Sequence, residues 1–361
     1  MRRFNTFTIA SFLTGMFLAV SVLRAQEEAP KNIILLIGDG MGVGQLTVMK
    51  TMLGDMSLDA FPVGGLMTTS SLDNFITCSA AAGTALSTGY LTDNGMVALA
   101  PDGSSLLTLL EAARDRGKAV GVVATSSVTH ATPASFLSHV PRRSQQFEIA
   151  IQMASSGADV IVGGGRRFFL PEGEDGGRKD GANLIAEMRQ AGYTYAEAHA
   201  PELPDEGKLL WLLADDALPR ADERPYGLGE LVEVSISLLS QREEGFVLMV
   251  EGSQIDWAGH SNDIAMLRAE LGDFEGAITA ALAFAERDQR TLLLVTADHE
   301  TGGLSVVGTA ADGSDMEGKW IWDDHTADMV PLFAYGPSSA IFGGLHSIDH
   351  VGRLLHSLLL P

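Results

Sequence analysis

Asn32-Ile33-Ile34-Leu35-Leu36-Ile37-Gly38-Asp39-Gly40-Met41-Gly42 is the stretch that decides the fold. Five aliphatic residues in a row show no in/out alternation, so the strand predicted at 32–37 is covered on both faces, as in a parallel sheet between helical layers. Outward from it, the segments 119–124, 159–162, 246–250, 291–296 and 330–335 repeat the same short apolar run. Between them 104–116, 144–155, 181–191, 227–241 and 264–288 carry helical periodicity. This alternation predicts an α/β three-layer sandwich, a central mostly parallel sheet flanked by helices with right-handed crossovers. We expect one domain over 26–361, with the Gly-, Glu-, Asp- and Pro-rich stretch 172–224 as a surface excursion.

Composition narrows what such a domain can do. The chain has 361 residues, 46% of them hydrophobic, and 24 Lys+Arg against 46 Asp+Glu give a net charge of −22. That balance, without a basic block, excludes a surface that grips nucleic acid through its phosphates. Residues 1–25 read as a signal peptide: Met1-Arg2-Arg3, a charge-free apolar run from Phe7 to Leu23, and the small Ala25. An uncleaved anchor is the alternative, since the run sits at the lower limit for spanning a bilayer. Export to the periplasm or medium, with no membrane attachment afterwards, is the expectation. A lone Cys78 cannot form an internal disulfide.

The unusual polar residues collect at predicted strand ends. Asp39 follows the first run, Thr129-His130-Ala131-Thr132 the second, Glu251 to His260 the fourth, and Asp298-His299 the fifth. In an open parallel sheet these carboxyl ends share one edge, where ligands bind. Each acid alone reads as readily as a loop residue or helix cap. Four packed carboxylates, however, would repel one another and take up protons unless cations neutralise them. Asp256 and His260, four apart, fall on one helix face. Mixed imidazole and carboxylate favours zinc, and an all-oxygen set of Asp39, Thr132 and Glu251 favours magnesium. Ser79, at the start of the small-residue helix after Cys78, is a helix cap or a nucleophile facing an anion. Cys78 reads as a small buried side chain or a reactive thiol.

Taken together, these blocks resemble the alkaline phosphatases, metal-dependent phosphomonoesterases. Residues 32–42 are similar to the family's opening strand and metal loop, and Ser79 with Gly83-Thr84-Ala85 to its nucleophile segment. Thr129 to Ala134 with Arg143, Gly163 to Arg166, Glu251 to His260, Thr296 to His299, and His325-Thr326 ahead of Val330 to Gly336 complete the order. The resemblance implies hydrolysis of small phosphate monoesters through a phosphoserine, with two zinc ions and one magnesium ion. It implies Asp256, His260 and His325 on the first zinc, Asp39, Asp298 and His299 with Ser79 on the second, and Asp39, Thr132 and Glu251 on magnesium. Arg143 would clamp phosphate oxygens in a bidentate fork, beside His130 and Trp257 in the substrate site.

Three departures from the family pattern matter. Cys78 stands where most members have Asp, which loosens the expected hold on Arg143. His130 and Trp257 replace an Asp and a Lys of the bacterial type, which shifts the third metal toward zinc or cobalt. The chain is short for the family, so a family-type homodimer is left open. A phosphodiesterase on the same scaffold and a non-catalytic, metal-dependent phosphate-binding protein are the alternatives. The diesterases usually carry a Thr nucleophile and lack the Arg143 block and Glu251, whereas an intact ligand set with Ser79 and Arg143 argues against mere capture. The net acidity does not exclude phosphate: three divalent ions and Arg143 would outweigh Asp39, Glu251, Asp256 and Asp298.

Overall fold

Seven strands run parallel through the middle of the molecule: β1 (Asn32–Gly38), β3 (Ala119–Ser127), β4 (Val160–Gly164), β5 (Tyr193–Ala196), β6 (Lys208–Ala214), β7 (Phe246–Gly252) and β8 (Thr291–Thr296). With β2 (Val63–Thr68), β13 (Val330–Tyr335) and β14 (Gly344–Ser347) they form a sheet in the order β14-β2-β13-β8-β1-β7-β3-β4-β6-β5. This computed structural model describes residues 29–197, 203–310 and 313–359. The expected signal segment and His199 lie outside the described residues. Among the described residues no helix is long and apolar enough to cross a membrane.

Every residue of β1, β3, β7 and β8 is buried, as their unbroken apolar runs require. Helices cover the sheet: α1 (Val43–Leu53), α2 (Ser79–Thr88), α3 (Leu109–Arg114), α4 (Ala131–Leu137), α5 (Gln146–Ser155), α6 (Leu184–Gln190), α7 (Leu228–Leu239), α8 (Gln254–His260), α9 (Ile264–Asp288) and α10 (Ile348–Ser357). Outside the main sheet, β9 (Glu300–Thr301) pairs with β12 (His325–Thr326), and β10 (Ser305–Val307) with β11 (Glu317–Lys319). The sandwich expected from the sequence is the fold observed.

Three expectations need correction. The stretch 172–224 is not simply a surface excursion: it supplies α6, β5 and β6, and Leu209, Leu210, Trp211 and Leu212 are at most 1% exposed. The polar composition around them masked a buried strand. The helix expected over 104–116 starts only at Leu109, because Thr108 and Glu111 form a reciprocal cap, Glu111 N to Thr108 Oγ1 at 3.2 Å and Thr108 N to Glu111 Oε2 at 2.9 Å. Ser105 is drawn instead into an antiparallel bridge with Leu99. Finally, 330–335 joins the sheet antiparallel to β8 and β2.

Candidate functional site

Register brings the acids together. Ile37 of β1 pairs with Thr296 of β8, and both chains run on two residues, so Asp39 and Asp298 come level. Glu251 lies inside β7, paired with Ile37 on one side and Ala124 of β3 on the other, not past the strand end as the sequence suggested. The loop after Asp39 turns at Gly40, φ +72°, where a Cβ would sit 2.7 Å from Thr301 Oγ1 and 2.9 Å from Asp256 Cα. Only glycine allows this approach. On the other side, α2 is built of small residues, and a Cβ on its Gly83 would lie 2.3 Å from Ser135 Oγ of α4. That close packing sets Ser79, at the first position of α2, against the strand ends.

The inner group is Asp39, Asp298 and His299, whose ligand atoms lie within 4.8 Å of one another. His299 Nε2 stands 3.4 Å from Asp39 Oδ1, 3.3 Å from Asp298 Oδ2 and 3.2 Å from Ser79 Oγ. Asp298 Oδ1 accepts from Gly40 N at 3.2 Å and His299 N at 3.0 Å, which turns its other oxygen toward the group.

The outer group gathers Asp256, His260 and His325. Asp256 Oδ1 is 3.4 Å from His260 Nε2 and 3.7 Å from His325 Nε2. Each ring is held from behind at Nδ1, His260 by the Asp323 carbonyl at 2.8 Å and His325 by that of Thr77 at 2.9 Å. A donor Nδ1–H directs Nε2 at Asp256 and gives the tautomer a metal needs once Nε2 has given up its proton. His325 also stacks on His299, ring centroids 3.6 Å apart, so the inner and outer groups adjoin.

Thr301 joins the two groups. Its hydroxyl is 2.5 Å from Asp256 Oδ1 and 3.3 Å from His299 Nδ1. An ionised carboxylate only accepts, so the one hydroxyl hydrogen goes to Asp256, and the oxygen then accepts from His299 Nδ1–H. Thr301 thereby leaves His299 Nε2 unprotonated, facing Ser79 and the acids.

The third group is Asp39, His130 and Glu251. Glu251 Oε2 accepts from Ser253 Oγ at 2.6 Å and Ser126 Oγ at 3.3 Å. Thr132 Oγ1 is buried with no hydrogen-bond partner. Arg143 Nη2 meets His130 Nε2 at 3.1 Å, and Trp257 meets the same ring edge-on, centroids 6.3 Å apart. Cys78 makes no hydrogen bond with the Arg143 guanidinium and reaches only the Arg143 main chain, through Gly95. Its Sγ accepts from Gly95 N at 3.1 Å, and the Gly95 carbonyl accepts from Arg143 N at 2.8 Å. Every site residue expected from the sequence thus lies in or beside one of the three groups. His139, His346, His350 and His356 form no part of them.

The donors fit divalent cations. Both oxygens of Asp39, Asp298 Oδ2 and Glu251 Oε1 are buried without any hydrogen-bond partner, a costly state unless a cation occupies the space between them. Burial, reinforced by Asp298, Asp256 and Glu251, pushes the Asp39 carboxyl well above the carboxylate range. Burial lifts Glu251 to about 7. It also lowers His299 to about 4, and His130 to about 4 with help from Arg143. At Asp256, burial is overcome by the His260 hydrogen bond and the neighbouring histidines, which hold the carboxyl well below its usual range. His260 rises in turn to about 9 through its bond to Asp256.

Sequence reasoning missed Thr301, Glu300 and Asp324. Asp324 completes a further group with His260 and His325, and its position directly before His325 was the one available signal. Nothing in residue type marks a threonine two places after a histidine as a tie between two ligands.

Comparison with known proteins follows this geometry. The family model described as alkaline phosphatase matches residues 30–319. Alkaline phosphatase 3 of Bacillus subtilis is 34% identical, over 89% of this chain and 87% of its own length. The alkaline phosphatase of the Antarctic bacterium TAB5 superposes with a TM-score of 0.85 at 35% identity, covering 92% of this chain and 99% of the other. A mutant of the TAB5 enzyme with magnesium bound in its M3 site gives 0.85 at 36% identity, with the same coverage.

Proposed function

Because the chain belongs to the alkaline phosphatase family and is a phosphatase hydrolase, we propose that it hydrolyses small phosphate monoesters through a phosphoserine formed at Ser79. The observation that carries this reading is Ser79 Oγ at 3.2 Å from His299 Nε2, beside buried carboxylate oxygens that no protein donor satisfies. Asp256, His260 and His325 would hold one zinc, Asp39, Asp298 and His299 a second. Thr132 and Glu251, with Asp39, would hold the third metal; magnesium fills the M3 site of TAB5 mutants in which a histidine is replaced by an acid, whereas His130 stands beside this site. Bound there, the metals supply Lewis acidity and a positive field for an anionic ester.

The chain's own residues do the rest. Ser79 Oγ attacks phosphorus, the ester P–O bond breaks, and the serine proton ends on the departing alcohol. Water then cleaves the Oγ–P bond and frees inorganic phosphate. Arg143, its main chain anchored through Gly95 and Cys78, offers two parallel N–H donors to non-bridging oxygens. Its contact with His130 holds it in the site while no anion is present. The neutral His130, kept so by burial and by Arg143, adds no competing charge. Helix α2 points its N-terminus at the same place, where its free N–H groups favour the anion.

The reading includes export, with residues 1–25 removed as a signal, and one catalytic domain over 26–361. Purified protein assayed on a chromogenic monoester and on a bis-ester, with and without chelator, tests it. Turnover of the monoester alone, lost on chelation, is expected; bis-ester turnover or chelator-insensitive activity contradicts it.

A further inference from the structure

His325 is the ligand least supported by the fold. It stands on β12, two residues long and outside the main sheet, after a stretch in which Ile321 and Trp322 are 78% and 56% exposed. Its partner strand β9 begins with Glu300, a carboxylate only 3% exposed that has no place in the chemistry above. Glu300 accepts four hydrogen bonds. Oε1 takes Gln45 Nε2 at 2.8 Å and Leu304 N at 3.3 Å; Oε2 takes Gly303 N at 3.0 Å and the Thr326 hydroxyl. Gln45 carries the link onward, its Oε1 accepting from Gly42 N at 3.0 Å and its Nε2 donating also to Thr301 O at 2.7 Å.

These ties connect three chain segments. Gly42 closes the loop opened by Asp39, Thr326 follows His325, and Glu300 itself follows His299. The requirement is for acceptors alone: four donors converge on two oxygens, and an ionised carboxylate is the side chain that offers about four lone-pair sites and no donor. Glutamine of the same size would turn an NH2 toward two of those donors. The pairing of β9 with β12 amounts to two residue pairs, His325 with Thr301 and Thr326 with Glu300. The side-chain tie from Thr326 to Glu300 therefore reinforces this two-pair ladder directly beside His325.

We propose that Glu300 is a positioning residue of the metal centre. It touches neither metal nor phosphate, and it fixes His325 against Asp256 while holding the Asp39 loop through Gln45. This inference rests on the two-zinc reading above. Outer partners of metal ligands typically account for about 10–100-fold in metal affinity or activity.

The test follows zinc release from the zinc-loaded full chain into a chromogenic chelator, for the parent, Glu300→Gln and Thr326→Val. Both variants are expected to release one zinc equivalent at least ~10-fold faster than the parent, with amide exchange at 325–326 accelerated and lost turnover recovered by excess zinc. Thr326→Val, which removes the tie beside His325 together with the 3.3 Å bond that Thr326 Oγ1 accepts from Asp328 N, leaves release of the second equivalent unchanged and carries the test alone should Glu300→Gln fail to fold. Parental release and exchange rates in Thr326→Val overturn the proposal. A parent chain that takes up no zinc overturns the two-zinc reading instead.

Discussion

Asp39, Asp298 and His299 stand at the ends of adjacent parallel strands and are 0% exposed, whereas His260 and His325 stand on a seven-residue helix and a two-residue strand, their side chains 37% and 11% exposed. The inner residues are fixed by sheet register, so their geometry is a property of the fold. The outer ones are fixed by single polar contacts: carbonyls of Asp323 and Thr77 behind the rings, Thr301 beside Asp256, and Glu300 behind Thr326. One half of the site is therefore as rigid as the core, and the other is only as rigid as a few hydrogen bonds. The acids crowd in the rigid half, where repulsion cannot be relieved by movement, and so that half has the greater need of cations.

Substitutions can break this comparison in order of size. Ser79→Ala removes the group that both halves serve, and turnover is expected to fall by several orders of magnitude with folding intact; steady-state kinetics beside a thermal melt checks this, and near-normal turnover refutes the nucleophile. Thr301→Val keeps shape but cuts the hydroxyl that ties Asp256 to His299. Zinc affinity should drop by about 10–100-fold at both zinc positions, measured by chelator competition, while loss at one position alone would mean the halves are independent.

A subtler contrast is in pH dependence of the metal-free protein. Glu251 is pushed up from 4.5 to about 7, so the folded state binds the extra proton. Its contribution is fully present below pH 4.5 and is lost as pH rises through about 7, by roughly a few kcal/mol. His260, raised from 6.5 to about 9 by Asp256, contributes below 6.5 and loses that contribution through about 9. Urea melts across pH 4 to 10, taken as the parent minus Glu251→Gln and the parent minus His260→Gln, should isolate these two descents from the opposite rise that the buried, neutral His130 and His299 give between about 4 and 6.5, and zinc plus magnesium should abolish both. A Glu251 contribution that grew as pH rose through the lower window would contradict the burial argument. Smallest of all, Cys78→Ala deletes the weak sulfur acceptor for Gly95 N. Phosphate inhibition should weaken by a few-fold at most, about 1 kcal/mol or less, with zinc content unchanged.

The same division governs what could be read from the chain alone. Residues 32–39, 246–251 and 291–299 were legible because an unbroken apolar run marks a strand buried on both faces, and the acid that closes it marks the sheet edge where ligands bind. The Asp256–His260 pair was legible from helical spacing. His325 was not legible from pattern, since β12 has no apolar run and lies off the sheet; only the family resemblance singled it out. Thr301 and Glu300 escaped because their significance arises from what tertiary folding puts beside them. Strand β6 escaped for an opposite reason: its buried Leu209 to Leu213 sits between acidic, proline-containing segments whose composition outweighed the run.

Metal content tests the central claim most directly. Full-length protein equilibrated with zinc and magnesium, freed of loosely held ions and measured by elemental analysis, is predicted to hold three divalent ions per chain, at least two of them zinc. It should lose phosphatase activity as those ions are withdrawn. A chain that retains no divalent metal while hydrolysing monoesters at full rate would contradict the account, because the buried carboxylates would then be satisfied by protons alone.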